Sequence, residues 1–255
     1  MKRPVSAVII TLNEEHAIER CLAALRWCDE VVVVDSGSTD RTAEICRGHG
    51  CRVEQRAFDG FGPQKRWGVG RALHDWVLNV DADEVISDEL RDEMLRELSA
   101  DELPWEGFLV PRTMVFLGKE FRHGSEHHAP SLRLFDRRRG NFTPARLHER
   151  AEVAGRTKLL SGRMLHYSYR DLHQYFEKFN RYTTAAAEEL FREGKHKSAW
   201  GVFLALPVNF LKHALVRGNL LNGYPGLVWS VLSSFSPLVK YLKLRDLERT
   251  RGRSV

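Results

Sequence analysis

No stretch of this 255-residue chain reaches the roughly 18 uninterrupted apolar residues that a membrane-spanning helix needs. A Walker-type Gly-rich loop and a GxGxxG fingerprint are missing too, so kinase, ATPase and dehydrogenase readings lose support. The four cysteines, Cys21, Cys28, Cys46 and Cys51, form neither a CxxC pair nor a zinc-ribbon spacing and read as free cytosolic thiols. Met1-Lys2-Arg3-Pro4 has the charge of an export signal, but the apolar run after it stops at Ile10, so a first strand is expected there. Internal repeats and low-complexity linkers are absent.

What is present fits a folded α/β protein. Hydrophobic residues make up 43% and charged residues 29%, which argues against disorder. The formal charge of +5 is uneven: Lys195 to Val255 holds ten Lys/Arg against two Asp/Glu. That stretch carries +8 and everything before it −3. Such a tail suits either nucleic acid or an anionic membrane surface, and its neighbours must decide.

Apolar β-rich runs alternate with helical patterns over the first hundred residues, the signature of a parallel sheet with crossover helices. Strands are predicted at Val5 to Thr11, Glu30 to Asp35, Arg52 to Gln55 and Trp76 to Asp81. Helices are predicted at Glu14 to Trp27, Thr39 to Gly48 and Pro63 to Leu73. The run Val31 to Val34 lacks alternation, as expected of a strand covered on both faces. Ser87 is a candidate N-cap for a helix burying Leu90, Met94, Leu95 and Leu98. Glu106 to Arg112 resumes as a strand, and Thr113 to Gly162 reads as a smaller antiparallel or mixed section. Helices follow at Asp171 to Glu193, Ser198 to Val216 and Gly226 to Leu247, with a turn at Asn222-Gly223-Tyr224-Pro225. The expected division is a catalytic domain over 1–170 and a helical extension over 171–255.

Asp81-Ala82-Asp83-Glu84 crowds three carboxylates at a strand's carboxyl end, the edge where open α/β sheets bind ligands. That density is costly unless a cation neutralises it, and oxygen ligands suit Mg²⁺ or Mn²⁺. A lone DxD is also what an ordinary acidic turn looks like. Two further polar strand ends share the edge: Thr11-Leu12-Asn13-Glu14-Glu15, and Asp35-Ser36-Gly37-Ser38-Thr39-Asp40. In the latter, Gly37 permits a tight turn and Ser38 or Thr39 can cap the next helix. Asp35 adds nothing to a cap and is free to accept hydrogen bonds from a base or ribose.

In this order and spacing, the three motifs resemble the inverting family 2 glycosyltransferases of the GT-A fold, over about Val5 to Leu98. The resemblance implies a Rossmann-like, mostly parallel nucleotide-diphospho-sugar transferase sheet. Thr11, Asn13 and Glu14 would line the base and ribose, with Ser38 beside them, and Asp35 would accept a uracil-type imide N–H. Asp81 would lie near the ribose or metal, and Asp83 would bind the metal. Gln64-Lys65-Arg66 resembles the family's polar helix start facing the donor, although a solvated first turn would look the same.

Inverting transfer needs a general base for the acceptor hydroxyl. Many relatives supply it from a Glu-Asp pair that this chain lacks after Glu84, and its nearest counterpart is His148-Glu149. Leu132-Arg133-Leu134-Phe135, His148-Glu149 and Leu165-His166-Tyr167-Ser168-Tyr169-Arg170-Asp171 together resemble a bacterial subgroup that adds sugars to the lipopolysaccharide inner core. Glu149 is therefore expected as the base, unless it merely pairs with Arg146 or Arg150. Asp136, in the charged Asp136-Arg137-Arg138-Arg139, is the reserve. His166 is expected to complete the metal site, as a distal His does in some GT-A enzymes. His123, His127 and His128 lack zinc-site spacing and suggest a substrate-facing loop.

In the tail, Trp200, Phe203, Phe210, Trp229 and Phe235 accompany Lys212, Arg217, Lys240, Lys243 and Arg245. This combination fits amphipathic helices in an anionic interface, or packing on the catalytic domain. Nucleic acid is disfavoured because the apolar content exceeds what a phosphate-tracking surface needs. The whole is expected to be a metal-dependent hexosyltransferase using a UDP-sugar, UDP-glucose by resemblance, on a lipid-linked glycan. It would work in the cytoplasm, attached peripherally to the inner face of the cytoplasmic membrane. A polyprenyl phosphate, protein or teichoic-type acceptor, or a noncatalytic nucleotide-sugar-binding scaffold, is the alternative. A sugar nucleotidyltransferase is disfavoured because its early Gly-rich loop is missing where Asn13-Glu14-Glu15 stands.

Overall fold

The computed structural model describes residues 2–145, 149–196 and 198–251. Strands β1 (Val5–Thr11), β2 (Glu30–Asp35), β3 (Arg52–Gln55) and β4 (Trp76–Asp81) form where the apolar runs predict them. They pair in parallel in the order β3-β2-β1-β4. Val32, Val33 and Val34 are fully buried, as a strand covered on both faces requires. The alternating helices are α1 (Ile18–Ala24), α2 (Thr42–Gly48) and α3 (Phe61–Arg71).

The first two helices start later than predicted, because residues 12–15 and 38–41 build loops instead. Helix α2 is approached through Asp40, whose carboxylate accepts the Thr42 N–H at 3.0 Å, so neither Ser38 nor Thr39 is the cap.

Beyond β4 the sheet becomes mixed, with mostly antiparallel pairs. A three-residue strand that sequence reasoning missed, β5 (Glu84–Ile86), precedes α4 (Asp88–Ser99). Ser87 caps that helix by accepting the Leu90 N–H at 3.2 Å, and Leu90, Met94 and Leu98 are buried. Then come β6 (Gly107–Phe116), β7 (Lys119–Glu120), β8 (Ala129–Asp136), β9 (Gly140–Phe142), β10 (Ala151–Val153), β11 (Thr157–Leu159) and β12 (Met164–His166). The sheet order is β3-β2-β1-β4-β8-β6-β12-β5. Its largest core lies between one face and helices α1 and α4, with Ile9, Ile18, Val33, Leu78, Leu90 and Phe108 all inaccessible to solvent.

The chain divides into two compact units. The first runs to Thr113 and resumes over His128–Tyr167; the second joins Met114–His127 to the chain from Ser168 onward. The sequence reading placed residues 114–127 with the catalytic sheet. Their apolar side chains explain the difference: Met114, Phe116 and Phe121 cluster with Tyr175, and Trp229 packs against them.

The second unit holds α5 (Leu172–Arg192), α6 (Ala199–Leu211), a π-helical turn (Lys212–Val216), a 3₁₀ turn (Asn219–Asn222) and α7 (Tyr224–Arg251). Tyr224-Pro225 opens α7 rather than sitting in a turn, and Pro suits a first helical turn, where no N–H is needed. Asn222 Oδ1 accepts the backbone N–H of Arg122 and of His123 at 2.8 and 3.2 Å, tying down the His-containing loop. Lys243 Nζ donates to Asn180 Oδ1 and Thr183 Oγ1, fastening α7 to α5.

Candidate active site

The register of the parallel strands aligns the polar strand ends. Thr11 stands beside Asp35, and Ile10 beside Asp81, so the three motifs share one edge of the sheet. Thr11 is buried and its Oγ1 has no hydrogen-bond partner. A buried hydroxyl left in that state is costly unless something else satisfies it.

The first two motifs lock onto each other. Asn13, in a left-handed conformation at φ 55°, accepts the Thr39 N–H through its Oδ1 at 2.8 Å. Its own N–H donates to Ser38 Oγ at 2.9 Å, and the Glu14 N–H donates to Thr42 Oγ1 at 2.8 Å. Asn13 and Ser38 thus spend polar atoms on building the rim. Asp35 is fully buried, and its carboxylate accepts the Gly37 and Ser38 N–H groups and the Ser38 hydroxyl. Asp35 takes no part in capping α2, as expected, but its carboxylate is engaged in organising the turn.

The third motif divides its labour. Glu84 is fully buried, accepts the Asp81 N–H at 2.9 Å and pairs with Arg133 at 2.6 Å. Burial raises its pKa, against the opposing pull of the Arg133 guanidinium. Asp81 pairs with Lys65 at 2.9 Å and with Arg133 at 3.6 Å. Burial works against its charge, but these two cations outweigh it and hold the carboxyl well below the usual range. Lys65 responds in kind: burial disfavours its charge, yet Asp81 foremost pushes its pKa upward. The cation that the crowded carboxylates require is thus supplied in large part by two side chains. Carboxylate density alone is no argument for a metal.

Asp83 stands apart from that network. Strand β12 pairs antiparallel with β5, setting His166 beside Glu84. The Tyr167 N–H donates to the Asp83 carbonyl at 2.9 Å, anchoring the return. His166 Nε2 then lies 3.2 Å from Asp83 Oδ2, with both side chains about one-fifth exposed. An oxygen and a nitrogen donor converge, as a hard or borderline divalent ion accepts. Among the described residues no cluster of three such side chains is pre-assembled.

Lys65 also reaches Glu149, whose Oε1 lies 3.0 Å from Nζ. Gln64 and Lys65 are buried, which rules out a solvated first turn. Gln64 accepts from Arg56 and donates to Ser36 Oγ, so α3 is stitched to the second motif. The close approach of α3 to the Glu149 loop depends on Gly62, where a methyl group would strike the carbonyl oxygens of Thr143 and Ala145. Arg150 pairs with Glu152 instead of Glu149. Arg146 and His148 lie outside the described residues.

Asp136 is removed as a reserve base. It faces Trp76 at the start of β4, the end away from Asp81, and its carboxylate is taken by Arg138 at 2.6 Å. Arg133, in contrast, is a site residue that sequence reasoning quoted but gave no role. Its signal was a charge inside the apolar run Leu132-Arg133-Leu134-Phe135.

A glycosyl transferase family 2 model matches residues 6–155, more than half of the chain. The chain belongs to glycosyltransferase family 2. This transferase is 30% identical over 259 residues to the lipopolysaccharide core biosynthesis glycosyltransferase LpsC of Rhizobium meliloti, covering 99% of this chain and 96% of LpsC. A glycosyltransferase of Rickettsia typhi is 29% identical over 259 residues, covering 96% and 88% of the two chains. Among solved structures, Staphylococcus aureus TarS 1–349 in complex with UDP-GlcNAc superposes with a TM-score of 0.50 at 18% identity, covering 98% and 92%. That likeness concerns the fold, which is GT-A: a mostly parallel sheet with a mixed continuation and C-terminal helices.

Proposed function

We propose that this transferase moves a hexose with inversion from a nucleotide-sugar, UDP-glucose, to a glycan carried on lipid such as the lipopolysaccharide inner core. The observation that carries the reading is the convergence at one sheet edge of Asp83 with His166, and of Asp81 with Lys65 and Glu149. The full-length similarity to LpsC supports the choice of acceptor. A lipid-linked acceptor sets the reaction at the inner face of the cytoplasmic membrane.

The nucleotide lies along the rim built by Thr11 to Glu14 and Asp35 to Ser38, where the unpartnered Thr11 hydroxyl gains a hydrogen bond. Asp35 turns the remaining acceptor capacity of its carboxylate toward the base, and Asp81 faces the ribose. Asp83 and His166 fit a divalent cation, Mn²⁺ or Mg²⁺, which takes few protein ligands and completes its shell from phosphate oxygens. Such an ion would stabilise charge on the departing diphosphate. Glu149 receives the proton of the acceptor hydroxyl as its oxygen bonds the anomeric carbon and the bond to the diphosphate breaks. Lys65 holds that carboxylate in place through the ion pair.

The test incubates the folded protein with Mn²⁺ or Mg²⁺, a panel of nucleotide-sugars and truncated lipopolysaccharide, following nucleoside-diphosphate release and acceptor mass. Release and a one-hexose gain with UDP-glucose are expected. Folded protein that neither hydrolyses nor transfers any donor overturns the proposal.

A further inference from the structure

The structure separates the residues of the basic, aromatic tail. Trp229 and Lys243 serve packing inside the second unit, whereas α6 keeps its apolar residues outside. Trp200, Phe203, Leu204, Val208, Leu211 and Leu215 are all at least half exposed, Trp200 at 80%. Their spacing of three, four, eight, eleven and fifteen residues from Trp200 draws one stripe along a helix, about 22 Å long at 1.5 Å per residue. On the opposite side Val202 is buried. A surface helix of a globular protein is polar on its outer face; this one is apolar on both, and Ser198 to Leu211 contains no charged residue. Single exposed hydrophobes need no explanation, but a continuous stripe marks an interaction surface.

Charge identifies the partner. Between Glu193 and Asp246 the sequence contains no acidic residue and seven Lys/Arg, of which Lys195 pairs with Glu193, Arg217 with Glu126, and Lys243 binds α5. Lys212, exposed at the end of the stripe, is another of the seven. Pairing this face with a second copy would bring like charges together, whereas an anionic lipid surface matches both the stripe and its charge. No helix among the described residues is long and apolar enough to cross a bilayer, so the contact lies in the plane of the interface.

We infer that α6 and the turn after it insert, apolar stripe first, into the interface of an anionic lipid bilayer, with Lys212 at headgroup level. The inference rests on the lipid-linked acceptor reading for its purpose and on exposure and charge for its geometry.

The experiment floats the full chain on vesicles of phosphatidylcholine with and without phosphatidylglycerol. Wild type is expected to float with the anionic vesicles. Trp200→Ser/Phe203→Ser/Val208→Ser is expected to lower partitioning at least about tenfold, while keeping its thermal melting and its vesicle-free nucleotide-sugar hydrolysis. Lys212→Glu is expected to weaken binding about fivefold on anionic vesicles only. Acyl chains brominated near the headgroup should quench wild-type tryptophan emission, and Trp200→Phe should remove most of that quenching without abolishing flotation. Failure of wild type to float, or flotation without quenching, overturns the inference. So does a wild-type dimer that the triple serine variant converts to monomer, since a second copy would then be the occupant. Loss of nucleotide-sugar turnover with flotation intact counts against the transferase reading alone.

Discussion

The Lys65 ammonium sits 3.0 Å from the Glu149 carboxylate, and both side chains are largely withdrawn from solvent. Helix α3 thereby holds the carboxylate proposed to act on the acceptor. Since Lys65 binds Asp81 as well, the two carboxylates are linked through one cation.

Replacing Lys65 by Met leaves Asp81 with only its longer contact to Arg133 and removes the Glu149 pair. Breaking a buried ion pair by deleting one partner costs on the order of 3 to 5 kcal/mol, and the exposure of about a quarter of Asp81 places the loss toward the lower end. Urea unfolding should show a lowered midpoint, and turnover should fall further than stability alone explains.

Glu149→Gln keeps the shape and removes the proposed base. Turnover onto the glycan acceptor should drop about 10²- to 10⁴-fold, with nucleotide-sugar affinity unchanged by calorimetry. An unchanged rate would point to an acceptor that is already an anion, such as a polyprenyl phosphate.

Asp83→Ala and His166→Ala should each raise the Mn²⁺ concentration for half-maximal nucleotide binding by at least about tenfold, the scale reached even by outer-shell changes. Titration of Mn²⁺ by electron paramagnetic resonance in the presence of UDP reads this without any catalytic assay. Equal Mn²⁺ affinity in wild type and both variants would place the ion elsewhere.

Gly62→Ala should act through the backbone. The added methyl has to displace the 143–145 segment, and overpacking of this kind typically costs about 1 to 3 kcal/mol. Thermal melting should fall, and Glu149-dependent turnover should fall with it.

Burial pushes the thiols of Cys28 and Cys46 up to about 12 and that of Cys51 up to about 11. In the unfolded chain they titrate near 8.5. A folded pKa above the unfolded one gives stability that is complete below about pH 8.5 and lost as pH rises toward 11 to 12. Urea midpoints should therefore decline through that window, and Cys28→Ala should make the decline shallower. At pH 8 all three thiols should react slowly with Ellman's reagent until the protein is unfolded.

The parallel half of the sheet was legible because runs such as Val31 to Val34 and Trp76 to Val80 have no other use than burial. Glu84-Val85-Ile86 was not, because three residues become a strand only through β12, which arrives some eighty residues later. Lys65 reads the same in a solvated turn as in a buried ion pair, and only the approach permitted by Gly62 decides between them. Asp136 and Glu149 look alike in sequence; antiparallel pairing with β4 carries the first to the far end of the sheet. Met114–His127 left the catalytic unit because its aromatic partners lie beyond Ser168, a long-range match that local patterning does not encode.

Asp83 and His166 are separated by 83 residues, and that distance is also a time. A ribosome adding roughly 5 to 20 residues per second needs on the order of 4 to 17 s to pass from one to the other. Until Asp136 is added, partway through that interval, β1 to β4 have been synthesised while the outer edge of β4 still waits for β8 to cover it. An emerging transferase therefore presents an open, apolar strand edge before β8 and the proposed ligand His166 exist, and such unpaired edges are prone to aggregate.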